Sequence, residues 1–120
     1  MDEINYLGEK SIHYFKLLCF YLETEIKNSG GKTLEDINTL IIVKINLAKI
    51  SSKLIYKDNK KTLQLMKNGL ILYQEAYNVI NNIINNYSIT DTLTNQYKLC
   101  EEMIHLLPIK IAKMENKQIK

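Results

Sequence analysis

Apolar residues recur along this chain at helical spacing in four separate stretches. The first runs from about Asp2 to Asn28, with Leu7, Tyr14, Leu18, Leu22 and Ile26 forming a stripe that Ile4, Phe15 and Tyr21 widen. It stops at Asn28-Ser29-Gly30-Gly31, a helix-terminating signal. Thr33 is placed to cap a second helix to about Tyr56, with Glu35 and Asp36 in its first turn. Here Ile37, Leu40, Ile41, Ile45, Ala48 and Ile55 are joined by Ile42, Val43, Leu47, Ile50 and Leu54, which spill beyond one face. A helix apolar on most sides is flanked on most sides, so this one should be the most buried. Asp58 can cap a third helix, in which Leu63, Met66, Leu70, Tyr73, Tyr77, Ile80, Ile84 and Tyr87 alternate three- and four-residue steps. After Ser88 to Asp91 a fourth repeats the device with Leu93, Tyr97, Cys100, Ile104, Leu107, Ile111 and Met114.

The predicted helices therefore span about 2–28, 34–56, 59–86 and 91–116. Pro108 falls inside the last one, where a proline removes a hydrogen bond and costs ~3 kcal/mol; a kink or break near Leu107 follows, with Asn116 to Lys120 frayed. No segment alternates apolar and polar residues long enough to build a sheet. Long helices joined by loops of ~2–6 residues pack as consecutive antiparallel hairpins. The fold class is all-α, one domain over 1–120, either as the TPR-like end of an α-solenoid or as a four-helix bundle.

Composition narrows the function. The chain has 120 residues with 46% hydrophobic and 24% charged, enough for one real core and an ordinary surface. Net charge is only +3, and all 16 basic residues are lysine. A nucleic-acid binder concentrates positive charge and relies on arginine for bidentate contacts, so that class is disfavoured. Abundant Ile, Asn, Lys and Tyr suit an AT-rich genome, which removes weight from the Asn and Lys clusters. Cys19 and Cys100 lie among apolar residues outside any CxxC pattern and read as free buried thiols of a reducing compartment. The acidic, polar start is not a signal peptide, and no apolar run reaches the ~18–20 residues of a membrane span. The expected location is cytoplasmic, with no membrane partner; the sequon Asn86-Tyr87-Ser88 is then accidental.

Several constellations imitate chemical sites. Gly30-Gly31-Lys32-Thr33 resembles the end of a phosphate-binding loop, but the earlier glycine the motif needs is Ile26 and no strand precedes it. A helix stop followed by an N-cap explains the same residues. Glu102-x-x-His105 has the spacing of di-iron bundle ligands, yet such sites take two copies, and His13 follows Glu9 by four residues rather than three. A rim histidine beside a solvated glutamate is the simpler reading. Lys57, Lys60 and Lys61 form either a solvated turn or a patch for an acidic partner, and the eight tyrosines fall mostly on the apolar stripes. Two histidines so placed build neither a nucleophile triad nor a paired-carboxylate site. No catalytic, cofactor or metal residue is assigned, and the chain is expected not to be an enzyme.

Three segments carry a family likeness. VKINLAKISSKLI in the second helix runs on through YKDNKKTLQLMKNGLILY, and LCEEMIHLLPIK follows in the fourth. These place an alanine-centred helix (Ala48), a turn with Asp58, Lys60 and Lys61, a leucine–tyrosine helix (Leu63, Leu70, Tyr73), and a closing Glu102-Met103-x-x-Leu106-Leu107-Pro108-x-Lys110. The pattern resembles the C-terminal end of the kinesin-binding protein (KIF-binding protein) family over roughly 75 residues, and more loosely through Tyr14-Phe15 in the first helix. The resemblance implies a helical solenoid related to tetratricopeptide repeats that binds kinesin motor domains and keeps them off microtubules, possessing no cofactor and, by its partner, cytoskeleton-associated. Family members are several times longer, which implies either a C-terminal fragment or a reduced homologue; Met1 in front of already helical sequence suits a fragment. Missing hairpins would leave part of the second helix's apolar surface uncovered, and a homodimer would cover it. The matched positions are packing and turn positions, so partner-binding residues stay unassigned. A helical scaffold or self-assembling bundle subunit without a motor partner is the alternative, and a metal-dependent bundle enzyme a distant third.

Overall fold

The computed structural model describes residues 3–28, 34–86 and 91–119, and within them the side chains of 5–28, 35–83 and 93–116. Four helices follow in order: α1 (Glu3–Asn28), α2 (Leu34–Lys53), α3 (Asn59–Asn86) and α4 (Asp91–Ile119). No strand occurs among the described residues. The Gly30–Thr33 segment lies outside them, as does the loop from Tyr87 to Thr90.

Each helix packs on the next, and α2 also touches α4. Among the described residues no Cα of α1 comes within 8 Å of one in α3 or α4. In a closed up-and-down bundle the first and last helices are neighbours. Here they are not, so the chain is an open stack of hairpins. Its extents of 49 × 27 × 21 Å reflect that.

The apolar surplus of α2 explains how the stack holds together. Ile41, Ile45 and Ala48 face α3 and α4, joining Tyr73, Ile80, Cys100 and Leu107 in one buried cluster. Leu40, Val43, Leu47 and Leu54 face the other way, joining Ile12, Cys19 and Leu22 of α1 in a second. One helix thus serves two cores. Each fully buried aliphatic contributes about 1.5–3 kcal/mol, which makes α2 the principal source of cohesion. Close approach to α3 is set by small residues: a Cβ on Gly69 would stand 3.0 Å from the Ala48 carbonyl oxygen.

Two boundaries differ from expectation. α2 ends at Lys53 rather than near Tyr56. In a continuing helix the Tyr56 amide would donate to Ser52; instead it donates to the Thr62 hydroxyl at 2.8 Å, and the Ile55 carbonyl accepts from Asn5 Nδ2 at 3.0 Å. Side chains from α1 and α3 therefore supply partners that stop the helix. Ile55, assigned to the buried stripe, is consequently 77% exposed. Asp58, just after it, caps α3 as expected, its Oδ1 accepting from the Lys60 amide at 3.0 Å. α4 runs unbroken through Pro108 to Ile119, past the fraying expected from Asn116. Pro108 is exposed, while Leu107 and Ile111 on either side are buried.

α1 differs more. Ile12, Cys19 and Leu22 are buried, with Phe15, Leu18 and Ile26 packed beside them. Leu7, Tyr14 and Tyr21, assigned to the inner stripe, are exposed on the opposite side together with Tyr6, Leu17 and Phe20. The helix has two apolar faces, and only one can lie on α2. Uncovered apolar surface is therefore concentrated on α1, not on α2 as expected.

Candidate functional site

Because the backbones of α1 and α3 stay apart where both lie on α2, a groove runs between them. It holds about 440 Å³, open to solvent, with α2 as its floor. Leu47 and Ser51 are buried in the floor, and the lips carry Phe20 of α1 and Ile71 of α3, 72% and 52% exposed. Aromatic and aliphatic side chains thus stand in water on both rims, an exposed apolar patch of the kind that partners cover.

One charge sits at its base. The Lys44 side chain is buried in α2, and its ammonium donates to Glu75 of α3 at 2.6 Å and lies 3.2 Å from Glu23 of α1. Burial pulls this ammonium toward neutrality, but the hydrogen bonds it donates to the two carboxylates outweigh it, so its pKa stands above the ordinary lysine value. Both glutamates remain about half exposed, so their outer edges face the groove. Beneath them, desolvation pushes the Cys19 thiol up, a shift that nearby Lys44 opposes and Glu23 and Glu75 support. The groove thus combines an apolar trough with two carboxylates, Glu23 and Glu75, that share the Lys44 ammonium, and Lys16 is the other cation of the lining.

A second clasp closes the end of the groove where α2 turns into α3. Glu9 of α1 accepts from the Tyr56 hydroxyl at 2.7 Å and from Lys61 at 2.6 Å. Lys61 also lies 4.2 Å from the Tyr56 ring centre. Of the Lys57, Lys60 and Lys61 turn, one member is therefore committed to holding α1 against the α2–α3 turn; the other two are exposed.

The remaining chemical imitations disperse. Glu102 and His105 are both exposed on α4, and His13 is exposed on α1. Among the described residues no three His, Cys, Asp or Glu side chains converge as a metal-binding group would. Cys19 and Cys100 are buried and unpaired, one in each core. Tyr77 and Tyr97 stack across the α3–α4 seam with their hydroxyls 2.8 Å apart, a packing role. The groove itself was not read from the sequence. Its signal was Lys44, a charge set between Val43 and Ile45 in the middle of the most apolar helix.

The sequence profile of the family described as KIF-1 binding protein C terminal matches residues 1–114. The chain belongs to this family. The match reaches from α1 through most of α4, so the looser likeness of the first helix is part of it as well. Among curated proteins and solved structures, no match was found. As a KIF-1 binding protein C-terminal domain, the chain joins an all-helical fold to an open apolar groove. No described helix is long and apolar enough to cross a membrane.

Proposed function

We propose that this domain binds a kinesin motor domain and, by occupying it, hinders attachment to microtubules, acting by binding alone with no catalysis and no cofactor. Membership of the KIF-1 binding protein C-terminal family is the observation that carries the reading. The α1–α3 groove supports it physically. An amphipathic helix of the partner would lay its apolar face over Leu47 between Phe20 and Ile71, in the helix-in-groove mode. Glu23 and Glu75 favour a partner helix with lysine or arginine beside its apolar stripe, since a cation there meets two carboxylates that share one ammonium.

Titration of the purified domain with a kinesin motor domain tests this directly. Phe20→Glu and Ile71→Glu change exposed positions and should leave folding stability within about 0.5 kcal/mol. Each should weaken motor binding tenfold or more, as expected of central apolar anchors worth ~1.4 kcal/mol or more. Binding that survives both substitutions would remove the groove from the account, and no binding by the unmodified domain would remove the function.

A further inference from the structure

The outer face of α1 is a separate surface from the groove. At 100° per residue, Leu7, Tyr14, Leu17 and Tyr21 fall on one arc, pointing opposite to the Ile12–Cys19–Leu22 face that lies on α2. All four are exposed, each by more than half, and Tyr6 continues the arc at one end. This is an apolar stripe about four turns long on a helix of 26 residues, rimmed by charge.

Its charges are arranged to complement themselves. Lys10 lies on this face in the N-terminal half and Glu25 borders it in the C-terminal half, both exposed. Among the described residues neither forms an ion pair within the chain. In an antiparallel pair of identical helices, a two-fold axis brings residue i of one copy level with residue j of the other whenever i + j is constant. An axis just past Leu17 brings Tyr14 level with Tyr21 of the other copy, and the same axis brings Lys10 level with Glu25. It leaves the two Leu17 side chains meeting at the centre. Aromatic and ionic pairs thus satisfy one register, and each occurs twice.

We infer that the outer face of α1 is a homodimer interface, in which a second copy of this chain packs antiparallel across Leu17 with Tyr14 against Tyr21 and Lys10 against Glu25. Such an isologous contact is self-complementary by symmetry and closes at two copies. It leaves Leu47, Ile71 and both glutamates of the groove uncovered, so it is independent of the partner-binding reading.

Light scattering on the full chain tests it at about 100 μM, a concentration at which an association with Kd near 10 μM is largely formed. The expected mass is twice the chain's 14.0 kDa. Leu17→Glu should return the monomer mass while far-UV circular dichroism stays helical. Lys10→Glu should weaken the dimer about 2–5-fold, and the double swap Lys10→Glu with Glu25→Lys should recover most of that loss. Tyr14→Cys combined with Tyr21→Cys should form inter-chain disulfides on mild oxidation. A monomer at every concentration overturns the proposal, as does a dimer indifferent to Leu17→Glu. Failure of the charge swap to recover, with Leu17→Glu still disruptive, overturns the antiparallel register.

Discussion

Lys44 of α2 donates to Glu75 of α3 at 2.6 Å, and this short bond lies at the bottom of the groove rather than on its rim. A buried ammonium needs its partners more than the fold needs the ammonium. Removing one partner leaves charge in a poor solvent, whereas replacing the whole arrangement by apolar atoms is close to neutral.

Stability should follow that asymmetry. Because both carboxylates are half exposed, Glu75→Gln is expected to cost about 1–2 kcal/mol and the pair Glu23→Gln with Glu75→Gln about 3 kcal/mol. Lys44→Met keeps the stem and loses the charge, and should change stability by less than about 1 kcal/mol. Urea denaturation measures all three. A Lys44→Met variant as unstable as the double glutamine variant would show that the ammonium itself holds the groove together.

Acid should act on the other clasp through Glu9. Hydrogen bonds from Lys61 and Tyr56 hold the Glu9 carboxyl below its ordinary value of 4.5. A carboxylate depressed in the folded state contributes stability that is present above 4.5 and lost as pH falls through its folded value. Urea midpoints of the wild type should therefore drop below pH 4.5 more steeply than those of Glu9→Gln, and the two curves should converge at low pH. Parallel curves throughout would mean that Glu9 is not linked to folding.

Pro108 sits in mid-helix at an exposed position, where a proline costs helix stability and buries little in return. It has no N–H to donate to the Ile104 carbonyl. Pro108→Ala should raise stability by up to about 3 kcal/mol, read as a higher thermal midpoint with unchanged or greater helicity. A lower midpoint would show instead that the proline sets the course of α4 that buries Leu107 and Ile111.

Much of this architecture was legible because α3 and α4 each bury one face. Their stripes, from Leu63 to Ile80 and from Leu93 to Met114, are buried or half-buried throughout, since period alone decides which residues go inside when only one face is apolar. α1 has two such faces, and period cannot choose between Leu7–Tyr14–Tyr21 and Ile12–Cys19–Leu22; contact with α2 chooses. The end of α2 was hidden for a different reason. Thr62 and Asn5, remote in sequence, take up the backbone groups of Tyr56 and Ile55 and stop a helix whose own residues favour continuing. The groove was least visible, because it exists only where the backbones of α1 and α3 stay apart on α2. No local pattern encodes a gap, though Lys44, set between Val43 and Ile45, marked its floor.

The central claim is that the groove of this KIF-1 binding protein C-terminal domain takes a kinesin motor domain away from microtubules. Co-sedimentation of a kinesin motor domain with microtubules, at rising concentrations of the domain, measures it most directly. The account predicts that motor moves from pellet to supernatant as the unmodified domain is added, and that Phe20→Glu with Ile71→Glu leaves it in the pellet. Motor that stays on the microtubules at saturating unmodified domain, or that is released equally well by the groove variant, would contradict it.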